Sequence, residues 1–184
     1  MQRLASEGQL RASQIRWAVF LVPLLVLLGF LSGVVSNSGP DNPWFESLAK
    51  PNIYPAPFVL PIVWILLYIL MGLALTLICA AWGARGRLFA ILAFALQFML
   101  MLAWSPVFFG MHQMTMALGI IIALDLAVIV TIFLFWRIRS TAGALLLPYL
   151  IWLLFATMLN WQFVQLNPDG DSFSGSSASQ RLDF

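Results

Sequence analysis

Residues 58–82 read FVLPIVWILLYILMGLALTLICAAW, 25 residues without a single charge. A bilayer's hydrocarbon core, about 30 Å thick, is crossed by roughly 20 apolar residues in helical form. Backbone polar groups in lipid must satisfy one another, which only helices and closed barrels achieve. A barrel strand would alternate in polarity over about ten residues. This run is longer and does not alternate, so it predicts a transmembrane helix.

Outward from it, 17–35, 88–109 and 142–166 are also uncharged and about long enough to span, and 115–136 carries one charge, Asp125. The predicted fold is an all-α, five-span membrane bundle over 17–166, between a polar segment, 1–16, and a Ser/Gly/Asp-rich tail, 167–184, that reads as disordered. Composition agrees: of 184 residues, 62% are hydrophobic and 9% charged, against about 45–50% and ~25% in soluble domains. A net charge of +2 gives no basis for nucleic-acid binding. The single cysteine, Cys79, excludes an intrachain disulfide. Arg11 and Arg16 before the first span are reminiscent of a secretory signal, but the run exceeds the usual 7–15-residue apolar region.

Arg3, Arg11, Arg16, Arg85, Arg87, Arg137 and Arg139 fall at one face of this topology, while Lys50 and Arg181 fall at the other. The bias predicts a cytoplasmic N-terminus, with the first loop and the C-terminus opposite. Three connections, 83–87, 110–114 and 137–141, are tight. The first, 36–57, is long and holds five of the ten prolines. Within it Asn42-Pro43 is an N-cap followed by proline at the first helical position, predicting a short helix over 44–48. Such a loop reads either as a lid or as an interfacial anchor held by Trp44 and Phe45.

Helical spacing aligns Pro61, Trp64 and Tyr68 on the second span. It likewise aligns Gln97, Met101, Trp104 and Phe108 on the third, Leu118, Ile121, Asp125 and Val128 on the fourth, and Tyr149, Trp152, Ala156 and Asn160 on the fifth. Polar groups at membrane depth are costly unless paired, so these stripes are expected to face inward. Trp64, Trp104 and Trp152 lie toward the long-loop end, where they read singly as an interfacial belt and jointly as an aromatic cavity for a flat apolar ligand. Gln97 and Asn160 are its expected polar anchors. Asp125, a buried intramembrane acid with no Lys or Arg in any span to pair with, reads first as an interhelical hydrogen bond and second as a proton-linked or ligand-orienting group. His112, the only histidine, reads as solvated or, less readily, as an axial haem ligand. No catalytic set, metal constellation or phosphate loop stands out, no catalytic residue is assigned, and no cofactor is required.

One group of motifs goes further. Trp44-Phe45-x-x-Leu48-x-Lys50-Pro51 is followed by Pro55 and Pro61-x-x-Trp64-x-x-x-Tyr68. Then come Gln97, Trp104-Ser105-Pro106-Val107-Phe108-Phe109-Gly110 and Pro148-Tyr149-Leu150-x-Trp152-x-x-Phe155-Ala156-x-x-Leu159-Asn160. In this order, over 17–167, the chain resembles the tryptophan-rich sensory protein family, also called translocator protein or peripheral benzodiazepine receptor (TspO/MBR). The resemblance implies a five-helix bundle, usually a homodimer in the lipid bilayer, with its ligand cavity under the first loop. It implies tetrapyrrole ligands such as protoporphyrin IX and haem, or other flat apolar small molecules. The implied pocket is Trp64, Tyr68, Gln97, Trp104, Trp152, Ala156 and Asn160, with Tyr54 and Pro55 from the loop. The sequence departs from the family in Asn52-Ile53-Tyr54-Pro55-Ala56-Pro57 and in Met101, where many relatives carry asparagine. A third departure is Trp161 and Gln165, which replace the tyrosine and basic positions of a sterol-type motif. The expected role is a tetrapyrrole receptor or sensor in regulation or stress response. A light- and oxygen-dependent porphyrin-degrading enzyme is the alternative, and a porphyrin or lipid transporter the third reading.

Overall fold

The computed structural model describes residues 7–172. Five helices long and apolar enough to cross a membrane dominate it, and no strand occurs among the described residues. The protein is a multi-pass integral membrane protein. In chain order the helices are α1 (Glu7–Val35), α2 (Pro43–Ser47), α3 (Val59–Cys79), α4 (Arg87–Ser105), α5 (Met114–Ile138), α6 (Ser140–Ala144) and α7 (Leu147–Leu166). A π-helical turn, Pro106–Gly110, follows α4, and a 3₁₀ turn, Gly170–Ser172, follows α7.

Several boundaries differ from those expected. Among the described residues the first helix starts at Glu7, ten residues before Trp17, because the polar stretch there contains no proline and continues the helix beyond the apolar run. The third span, Arg87–Gly110, keeps the expected bounds but changes from α to π geometry at Pro106, whose missing N–H cannot continue the α ladder. The fifth span is broken at Leu145-Leu146 for the same reason, since Pro148 has no N–H to donate to the carbonyl of Ala144. The tail expected to be disordered from Asn167 is ordered through the 3₁₀ turn, because its side chains bond to neighbouring backbone. The remainder of that tail and residues 1–6, with Arg3 and Arg181, lie outside the described residues.

Lipid tails are as apolar as leucine, so helices in a bilayer associate through close packing and hydrogen bonds rather than the hydrophobic effect. α1 lies along α3, α4 along α5, and α5 along α7. Small residues permit the approach. A β-carbon at Gly72 would run into the backbone of Val22, and Ala74, Ala90, Ala117 and Ala142 are fully buried. Large apolar side chains such as Val19, Phe20, Leu96 and Phe133 point outward, as a lipid-facing girdle requires.

A second apolar cluster closes one end of the bundle. Trp44, Phe45 and Leu48 of the first loop pack on Val107, Phe108, Met114 and Phe163. The helix that supplies the first two is only five residues long, too short to persist alone. Asn42 caps it, its Oδ1 accepting from the N–H groups of Trp44 (3.0 Å) and Phe45 (3.2 Å), with Pro43 at the first position. The Asn42 Nδ2 donates to the carbonyls of Asn37 (3.1 Å) and Phe109 (3.3 Å), fastening the loop to the π-turn. The first loop is thus a packed cover over the bundle.

Candidate ligand cavity

Beneath this cover lies a cavity of about 890 Å³, near the upper end of the roughly 300–1,000 Å³ typical of small-molecule sites. Its wall draws on α1, the first loop, α3, the end of α4 with the π-turn, α5 and α7. No Asp, Glu, Lys, Arg or His lies in that wall among the described residues.

Of the residues singled out in the sequence, Tyr54, Trp64, Tyr68, Met101, Trp104, Phe108, Trp152, Ala156 and Asn160 line the cavity. The three tryptophans come from three different helices. Trp64 stacks on Tyr68 with centroids 5.7 Å apart, Trp104 stacks on Phe108 at 5.0 Å, and Trp152 tilts against Phe155 at 5.3 Å. Tyr54 packs against Phe45 and Phe163 under the cover, and burial pushes its phenol above the ordinary range, so it is a neutral hydroxyl at neutral pH.

Other expected site residues lie outside the wall. Pro55 is half-buried in the loop and does not reach it. Gln97 is buried behind Met101, where its Oε1 accepts from the Tyr149 hydroxyl at 3.2 Å and its Nε2 has no partner. Asp125 also sits off the wall, between α5 and α7, with its Oδ2 accepting from the Thr157 hydroxyl at 2.8 Å. His112 stacks on Trp44 of the cover, centroids 4.5 Å apart, and is not part of the cavity, so a haem iron would not meet it there.

The polar chemistry of the wall differs from expectation. Asn160 was expected to orient a ligand, yet both ends of its amide are committed. Its Oδ1 accepts from Trp104 Nε1 at 3.0 Å, and its Nδ2 donates to the carbonyl of Met114 at 3.1 Å. Trp152 is the complementary case. Its Nε1 is buried and has no protein partner, so it is an unsatisfied donor.

Sequence reasoning missed the contribution of α1. Pro23, Gly29, Phe30 and Ser32 line the cavity, and a β-carbon at Gly29 would collide with the ring of Tyr68. Ser32 donates to the carbonyl of Leu102 at 2.9 Å and so ties α1 to α4 beside the cavity. The available signal was Gly29-x-x-x-Gly33, a small-residue spacing that marks close helix approach in membranes.

Comparison with known proteins gives a consistent result. The family model described as "TspO/MBR family" matches residues 20–166. The chain is 35% identical to the tryptophan-rich protein TspO of Chlorobaculum tepidum over 156 residues, covering 84% of this chain and 98% of that one. It is 37% identical to the tryptophan-rich sensory protein of Cereibacter sphaeroides, covering 82% and 92%. With the translocator protein of Bos taurus it shares 34% identity, covering 78% and 86%.

Proposed function

The chain belongs to the TspO/MBR family, and on that premise we propose that it is a membrane sensor that binds a tetrapyrrole, protoporphyrin IX or haem, in the aromatic cavity beneath the loop. One observation carries the reading: indoles from three helices, Trp64, Trp104 and Trp152, converge on one roomy wall that holds no charged side chain. Aromatic faces suit a planar conjugated ring, each pair adding about 0.5–1.5 kcal/mol beyond the area it buries. With no cation in the wall, the carboxylates of such a ligand stay toward the loop edge at Asn37 and Ser38, where water reaches.

The same family membership supports a homodimer, and the distribution of arginines supports a cytoplasmic N-terminus. Titration of the purified protein with protoporphyrin IX, followed by tryptophan quenching, tests the reading. Saturable quenching is expected, weakened about tenfold in Trp64→Ala and in Trp152→Ala, as loss of one stacking face implies. An unsaturable response, equal in both variants, would remove it.

A further inference from the structure

Residues 167–172 make contacts that neither the cavity nor the bundle core requires. Asn167 faces the loop, where its Oδ1 accepts from the Ala49 N–H at 2.8 Å and its Nδ2 donates to the Ala49 carbonyl at 3.0 Å. One side chain therefore clasps both polar groups of a single loop residue. Trp44 Nε1 reaches the Gly170 carbonyl at 3.4 Å. Gly170 is buried at this junction: a β-carbon there would collide with the methyl group of Met114 and lie 3.6 Å from Leu48 of the loop.

Asp171 holds the other side. Its Oδ1 accepts from the Met114 N–H at 2.6 Å and its Oδ2 from the Thr115 N–H at 3.2 Å. These are the first N–H groups of α5, and the residue at that helix's own N-cap, Gln113, supplies no side-chain cap. A carboxylate at a helix N-terminus satisfies donors that the helix cannot, and opposes the dipole charge there. The Met114 carbonyl is held in turn by Asn160, which also accepts from Trp104 in the cavity wall. A continuous set of bonds thus runs from the cavity wall to Met114 and the strap, and from the strap to the loop.

From this geometry we infer that residues 167–172 are a latch holding the loop closed over the cavity, with Asn167 and Asp171 as the positioning residues that set ligand access. The loop helix is too short to hold its place unaided. The bonds of Asn167 to Ala49 and of Asp171 to Thr115 are exposed, and there water replaces a broken hydrogen bond at small net cost. The loop therefore opens when the strap lifts, without unpacking the five spans.

Hydrogen–deuterium exchange of the full chain in detergent tests the latch without any ligand. In Asp171→Ala and Asn167→Ala the amides of Trp44, Phe45 and Ala49 are expected to exchange about tenfold faster, the effect of losing charge-assisted or paired bonds. Amides in the middle of α5 report on folding and are expected to stay protected. Should Asp171→Ala loosen α5 itself, Asn167→Ala, which leaves that cap in place, decides alone. Unchanged exchange at Trp44 and Phe45 in a variant with α5 intact overturns the latch.

A second readout rests on the tetrapyrrole reading: stopped-flow quenching by protoporphyrin IX. Association and dissociation are both expected to accelerate by similar factors while Kd moves little, because a gate changes rates and not the closed site. A weakened Kd with unaltered rates of association counts against the gate. If the unsubstituted protein binds no protoporphyrin IX, the proposed ligand fails, and the exchange experiment still judges the latch.

Discussion

Trp104 and Trp152 line the same cavity and carry the same donor, yet their indole nitrogens have opposite standing. Trp104 Nε1 is paired with Asn160, while Trp152 Nε1 has no protein partner. Replacing each by Phe removes that donor, so the outcomes are expected to separate. Trp104→Phe orphans the Asn160 oxygen and is expected to cost about 0.6–2 kcal/mol, the range for hydrogen bonds between transmembrane helices, seen as a lower Tm in detergent. Asn160→Ala breaks the same bond, so the double variant is expected to lose less than the two singles added together. Trp152→Phe removes a buried donor that has no protein partner and is expected to leave Tm nearly unchanged. Equal losses of Tm in both Phe variants would show that the pairing seen at Trp104 has no energetic weight. The sequence revealed both tryptophans through their helical spacing. It did not reveal which nitrogen was satisfied, because Trp104 and Asn160 stand 56 residues apart and only packing brings them together.

Among the elements, the loop helix shows what sequence reads well. Asn42-Pro43 is a local signal, since cap and first helical residue adjoin, and the structure contains that cap and helix. Its packing on the π-turn was not legible, because the Asn42 Nδ2 bond to Phe109 spans 67 residues. The first residues of the tail, 167–172, are ordered against expectation for a different reason. Composition averages Ser, Gly and Asp into a disordered signature, and it hides that Asn167-Pro168 after a helix is a stop signal whose side chain bonds back to backbone. The break at Leu145-Leu146 had its signal too, in the missing N–H of Pro148. α1 was opaque to periodicity, being apolar on nearly every side, and only its paired glycines marked the face that meets Tyr68. An element-scale prediction follows from the cap. Asn42→Ala removes two cap bonds and two ties to neighbouring backbone, and is expected to destabilise the loop by about 1–2 kcal/mol, as cap removals do. Limited proteolysis is expected to cut within 40–57 while the five spans stay protected. Resistance equal to that of the unsubstituted chain would mean that the buried Trp44 and Phe45 alone fix the loop.

Across the whole molecule, the two ends of the bundle differ in what they offer water. At one end stand Arg85, Arg87, Arg137 and Arg139, with the Arg87 guanidinium donating to the carbonyls of Ile78 and Cys79 and lying 4.5 Å over the ring of Trp82. At the other stand the loop with Asp41, Glu46 and Lys50 and the strap with Asp169 and Asp171, above the cavity. Arginine bias orients short loops toward the cytoplasm and acidic residues weigh little, so the cavity mouth and its latch are expected to face away from it. Single cysteines test this in a Cys79→Ala background, where the native thiol, buried already, is removed. Asn52→Cys places a thiol on the exposed loop, and Ser140→Cys places one at the arginine end. With a membrane-impermeant maleimide applied to spheroplasts, Asn52→Cys is expected to label at once and Ser140→Cys only after lysis. The reverse pattern would turn the cavity toward the cytoplasm. Orientation therefore decides from which side of the membrane the cavity is reached, and the proposed latch on the same face would gate that side alone.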